Sequence, residues 1–291
     1  PCHKQLIQEP SLLTENWKTH LLQKRLQAKY ESITQLLTIT QQSWAHAFYI
    51  TLAHNFGFHT NGLPFEMLAL QTPLSCLLKH RNSLFQITAI LLGQSGLLNS
   101  TTLTTDEHSA LWHEYCFLRK KFSITPLLPS HWKKAKMRPQ SAPEVRIRQF
   151  AHLLYQSEHL FANLMETKTI DEMVDLLSLN YGNDEVYARV QRPLPLGRKS
   201  IEILLINTVI PYRYAYTHSQ SHSKSAIHWL ENIKKEDNTI IRQWTMLGQA
   251  INSAADTQAL IHLYQNYCQP HQCFNCQIGQ QVFAYKQLTL F

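Results

Sequence analysis

The sequence predicts an all-α fold: an irregular multi-helical domain of roughly ten or more helices that ends in a cysteine-rich turn. Three observations predict it. Apolar residues recur at steps of three and four along most of the chain. Only 8 glycines are present, too few for a β architecture built on glycine turns. No series of alternating strands and no internal repeat is found. With 291 residues, 44% hydrophobic and 10% aromatic, the chain can bury one large core or two smaller ones.

Residues 1–14 show no period and read as a tail or linker, leaving 15–291 as the helical domain, with a possible subdivision near 125–142. From Glu15 to Thr38, Trp17, Leu21, Leu22, Leu26, Ile33 and Leu37 fall mostly on one face, as in a helix. Ser43 is placed to cap a helix carrying Trp44, Phe48, Leu52 and Phe56, with Gly57 as its left-handed stop. Pro64 and Pro73 each suit a first helical turn, Pro73 with Thr72 as cap, giving short helices over 64–71 and 73–80. Leu84, Ile87, Leu91 and Leu92 mark a helix ended by Gly93-Gln94-Ser95-Gly96; the GxxG spacing lacks the rest of a phosphate loop. A polar loop at 101–105 precedes a helix with Leu111, Tyr115, Leu118 and Phe122. Ser141-x-x-Glu144 and Thr169-x-x-Glu172 have the spacing of capping boxes. Ile201 to Ile210 is apolar on most sides, and its length favours a central helix, ended or kinked by Pro211. A polar loop follows at 218–225, and Asn238 and Asp256 are placed to cap the last two helices.

The most specific stretch is Cys268 to Cys276, spaced C-x4-C-x2-C directly after a helix. Thiolates are soft ligands that suit zinc or an iron–sulfur cluster, and a C-x2-C pair brings two sulfurs to one side of a tight turn. Cys268, Cys273 and Cys276 are therefore candidate metal ligands, with His271 as a candidate fourth. His262 lies on the preceding helix, and Cys2, Cys76 and Cys116 are more distant options. The competing readings are packed thiols or a redox pair, which usually sits in a βαβ setting absent here.

Lys+Arg 27 against Asp+Glu 20 gives a net charge of +7, which permits nucleic-acid or acidic partners without requiring them. The densest basic run is Trp132-Lys133-Lys134-Ala135-Lys136-Met137-Arg138. With Arg146 and Arg148 it could form a patch for the phosphates of DNA or RNA, with Trp132 either stacking on a base or turning into the core. A solvated loop explains the same run. Glu66, His80, Arg81 and Asn207 are polar residues flanked by apolar ones, from which a pocket could assemble. A satisfied core network is their alternative. No nucleophile–base motif appears, and the 16 histidines are scattered. No run of about 18 apolar residues exists, so no membrane span is expected and the chain reads as cytoplasmic.

The pieces Asn55-Phe56-Gly57-Phe58, Pro64 to Ala69, Lys79-His80-Arg81, Leu92 to Leu98, Met137-Arg138-Pro139 with Arg146, Ile206-Asn207-Thr208-Val209-Ile210-Pro211, and Cys268 through Gly279 follow one another in a set order. That order of motifs resembles an uncharacterised bacterial family, domain of unknown function 2851. The resemblance implies a carboxy-terminal helical part whose partner is an amino-terminal region similar to nuclease-type folds. The cysteine turn is also loosely similar to the end of helical DNA glycosylases that carry an iron–sulfur cluster on four cysteines. The reading that follows is a helical nucleic-acid-binding module accessory to such a nuclease-like region. Its rival is a structural or protein-interaction domain stapled by a metal, without catalysis.

Overall fold

The computed structural model describes residues 2–98, 105–182, 184–217 and 220–288. Every regular element among them is helical, and the one β-type pairing is an isolated antiparallel bridge between Lys234 and Ser253. No described helix is long and apolar enough to cross a membrane. The chain divides into two compact units, 1–35 with 210–291 (unit 1) and 36–209 (unit 2), rather than near 125–142.

Unit 2 is built on an aromatic core. Helix Trp44–Phe56 starts at Ser43, whose side chain accepts from His46 N as the sequence predicts. It supplies Tyr49 and Phe56, which pack on Phe150 with ring centroids 5.8 and 5.1 Å apart. Gly57 does not take the left-handed stop conformation; its φ is −70°. Glycine is needed there because a Cβ would lie 2.2 Å from the Asn61 carbonyl oxygen. The next helix, Phe58–Gln71, is kinked at Asn61, so Pro64 sits in the first turn after the kink. Pro73 itself, not Thr72, is the capping position of helix Leu74–Leu78.

Helix Leu84–Gln94 packs on helix Asp106–Phe122 so closely that a Cβ on Gly93 would meet the Tyr115 ring at 2.1 Å. Gln94, fully buried, then serves as a hub. It accepts from Tyr115 Oη at 2.8 Å, and its amide donates to the Gln71 and Thr125 carbonyls at 3.1 and 3.2 Å. The Gly93 to Gly96 segment thus closes a helix on its neighbours. Residues 101–104 of the expected polar loop lie outside the described residues.

Helix Pro143–Gln156 begins at Ala142 with no side-chain cap, so the Ser141–Glu144 box does not form. Pro143 is the reason: the residue before a proline is held extended, and Ser141 instead ends a 3-10 turn, Pro139–Ser141. The Thr169–Glu172 box does form, at helix Ile170–Leu177. The apolar run at 201–210 is helical, but residues Leu205–Val209 are wound as a π-turn. The helix resumes as Ile210–Tyr216 with Pro211 inside it, so the proline neither ends nor breaks the run.

Unit 1 joins both ends of the sequence. Residues 1–14 are not a loose tail: helix His3–Gln8 buries Leu6 completely, and Leu13 is buried too. Helix Glu15–Ile39 contributes Lys18, whose ammonium reaches Glu15 at 2.9 Å and Asp256 at 3.5 Å. Trp17 stacks on His20 and meets Tyr267 edge-on. Helix Gln220–Glu231 occupies much of the expected 218–225 loop, of which 218 and 219 lie outside the described residues. Asn238 caps helix Thr239–Met246 as expected. Ser253 rather than Asp256 caps helix Ala254–Leu263; Asp256 is the third residue of that capping box.

Candidate functional site

The basic segment of unit 2 is fixed by its neighbours before any ligand is considered. Trp132 is buried, donates from Nε1 to the Ser95 carbonyl at 2.8 Å and meets Phe65 edge-on, so it takes the core alternative and is not a stacking platform. One residue on, Asn61 clamps the backbone of Lys133 from both sides. Its amide donates to the Lys133 carbonyl at 3.0 Å, and its carbonyl oxygen accepts from Lys133 N at 2.9 Å. Lys136 follows in a left-handed conformation, φ 60°. The side chains of Lys133, Lys136 and Arg138 are exposed, and among the described residues no carboxylate pairs with them.

The other basic residues divide. Lys134 pairs with Glu144 in the first turn of helix Pro143–Gln156, which brings the loop to that helix end. Arg148 is buried and bonded to Glu107 at 2.6 Å, so it belongs to the core and leaves the patch. Arg146 is different. Its guanidinium lies 4.3 Å over the Phe58 ring and donates to Gln149 Oε1 at 3.0 Å. No carboxylate pairs with it among the described residues, its Nε is buried without a partner, and burial holds its pKa below the ordinary arginine value. A half-buried cation with no carboxylate partner among the described residues, on the helix to which Lys134 ties a loop carrying three exposed basic side chains, is an arrangement suited to an anion.

Glu66, His80, Arg81 and Asn207 do not build one pocket, because each is held by separate partners. Glu66 pairs with His54 at 2.7 Å. His80 Nδ1 lies 2.6 Å from Gln86 Oε1, and Gln86 in turn donates to Glu114 at 2.7 Å. Arg81 pairs with Glu158, and both line an apolar cavity of about 190 Å³ with Phe48, Leu77 and Phe161. Asn207 lies on the π-turn, where its carbonyl accepts from Asn55 at 3.3 Å; Asn55 also donates to Thr208 Oγ1 at 2.9 Å. His80 Nε2, by contrast, is buried without a hydrogen-bond partner.

In unit 1 the chain reverses on its cysteines. After the π-turn Tyr264–Cys268, Gln272 N donates to the Tyr267 carbonyl at 2.7 Å, and His271 adopts φ 58°. The 3-10 turn Cys273–Asn275 then leads into helix Gln277–Leu288. A Cβ on Gly279 would lie 2.1 Å from the Cys273 carbonyl oxygen, so this helix folds back tightly against the turn. Cys276 is buried, while Cys268 and Cys273 are half-buried. His271 is exposed. Burial, with the nearby thiols of Cys2, Cys276 and Cys273, pushes the Cys268 thiol up to about 12. The described cysteines are all free of disulfides. Among the described residues, no three His, Cys, Asp or Glu side chains are gathered closely enough to hold an ion.

Sequence reasoning did not single out Asn55 or Asn61 as clamps, nor Phe58 as the platform under Arg146. Spacing carries no sign of them, since their partners lie far away in the chain. No curated protein and no solved structure matches the chain. Residues 1–239 match the family model described as protein of unknown function (DUF2851), and the cysteine turn lies beyond the matched stretch. On that match, which spans most of its length, the chain belongs to the DUF2851 family.

Proposed function

We propose that unit 2 binds the phosphate backbone of DNA or RNA through Lys133, Lys136, Arg138 and Arg146, without catalysing a reaction itself. The observation that carries this reading is Arg146: a half-buried guanidinium stacked on Phe58, with no carboxylate partner among the described residues and Nε unsatisfied. A phosphate offers the counter-charge that this guanidinium lacks. The Asn61 clamp reduces the ordering cost of binding, because the Lys133 backbone is already held. Phosphate contacts give affinity without base specificity. Trp132 lies in the core and offers no face on which a base could stack.

Fluorescence anisotropy with labelled single-stranded DNA, duplex DNA and duplex RNA tests this. Binding is expected at low salt and should weaken steeply from roughly 50 to 200 mM. The triple variant Lys133→Ala, Lys136→Ala, Arg138→Ala should flatten the salt slope by about one per contact removed. Absence of binding to all three probes at low salt would overturn the reading and leave the protein-interaction domain as the better account.

A further inference from the structure

The apolar cavity of about 190 Å³ in unit 2 takes no part in phosphate binding. Helices Trp44–Phe56, Leu74–Leu78, Pro143–Gln156 and Leu160–Glu166 meet around it. Contacts within the fold hold its walls in place. Phe161 stacks on Trp44 at 6.3 Å and leans on Phe48 at 5.5 Å, and the Tyr49 hydroxyl donates to the Thr72 carbonyl at 3.0 Å. The cavity opens at the surface beside Arg81, Glu158 and His159, which line it with side chains 50%, 49% and 71% exposed. A space walled by aliphatic and aromatic groups holds water poorly, and those walls forgo the contacts that a filled interior would give them. An apolar ligand supplies the contacts. A cavity of ~150 Å³ lined by Leu, Ile and Phe takes up benzene, so this one has room for a single ring with a short substituent.

Charge at the mouth narrows the class of ligand. Arg81 is paired with Glu158, and His159 lies 3.8 Å from the same carboxylate. An anion would be repelled by Glu158 and a cation by Arg81, and either would give up its water for an apolar interior. An uncharged molecule meets neither cost. One polar group is left over inside. Ser157 lines the cavity, and its Oγ is buried with no hydrogen-bond partner among the described residues. A serine hydroxyl both donates and accepts, and its proton turns to suit the partner. We propose that this cavity binds a small uncharged alcohol of about single-ring size, with its apolar body between Phe48, Leu77 and Phe161 and its hydroxyl on Ser157 Oγ. The site shares no residue with Lys133, Lys136, Arg138 and Arg146, so it stands independently of nucleic-acid binding.

The test uses the full chain with methyl-labelled leucine and isoleucine, and no nucleic acid. It is titrated with toluene, benzyl alcohol, benzoate and benzylammonium while the methyl signals are followed by NMR. The methyls of Leu52, Leu77 and Leu160, which line the cavity, are expected to shift with toluene and benzyl alcohol. Benzyl alcohol should bind about 2- to 10-fold more tightly than toluene, the worth of one net hydrogen bond. Benzoate and benzylammonium should each bind at least ~10-fold more weakly than benzyl alcohol. Ser157→Ala removes a hydroxyl that no described residue bonds, so it should abolish the preference for the alcohol and leave toluene affinity unchanged. The proposal is overturned if neither uncharged probe moves these methyls up to its solubility limit, or if a charged probe binds as tightly as benzyl alcohol. It is equally overturned if Ser157→Ala keeps the preference. The four titrations of the unaltered chain need no variant to fold.

Discussion

Asn61 shows how much one polar side chain can organise. It is 2% exposed, uses both ends of its amide on Lys133, and sits at the kink of its own helix. Replacing it by alanine strands a backbone donor and acceptor, so Asn61→Ala is expected to cost roughly 1–3 kcal/mol of stability in a urea titration. In unit 2, His152 stacks on Tyr187 and bonds it through Nε2, while its Nδ1 is buried without a partner. Burial lowers its pKa to about 4, against a small opposing effect of Gln156. In unit 1, burial, aided by Arg25, His20 and Lys24, brings His262 to the same value. Unfolded, both rings take a proton as the pH falls through about 6.5; folded, they take it only near pH 4. The unfolded chain therefore binds more protons in that interval, and stability should fall as the pH drops from about 6.5 to 4. Melting curves across this range check the direction, and His152→Gln should make the dependence shallower. None of these roles was legible in the sequence, where histidine and asparagine carry no mark of where they will be buried.

Elements were legible where a local rule decides them. The Thr169 box needs only two side chains and the backbone between them, and it forms as read. Thr169→Ala is expected to cost about 1 kcal/mol, visible as a lowered unfolding midpoint. The Ser141 box met a stronger local rule, because Pro143 fixes the conformation of Ala142 and removes Ser141 from the capping position. The π-turn at Leu205–Val209 was hidden for another reason. The run is apolar on most sides, so the shift in register that one extra residue causes leaves no mark in its pattern. Three pieces of the family resemblance gain a physical meaning here. Asn55 reaches Asn207 and Thr208, Phe58 underlies Arg146, and Gln94 closes the Leu84–Gln94 helix on Tyr115. They act as fasteners between distant segments within unit 2.

At the scale of the molecule, the helical class was readable because amphipathic periodicity repeats along the chain. The division into units was not. Composition shifts point to the proline-rich stretch near 125–142, yet that stretch is held within unit 2 by Trp132 and Asn61. Unit 1 is assembled from residues 1–35 and 210–291, and no local signal announces that two remote stretches share a core.

That arrangement sets a timetable for synthesis. A ribosome delivers all of residues 36–209 before the second part of unit 1 exists. During that interval Leu21, Leu22 and Leu26, buried in the finished protein, have no completed unit 1 to pack into. Chains arrested once residue 209 has cleared the exit channel should resist protease in unit 2 while residues 1–35 are still cut, and a chaperone that holds apolar helices has its opening there. Residues 210–291 are then the ones that end the wait.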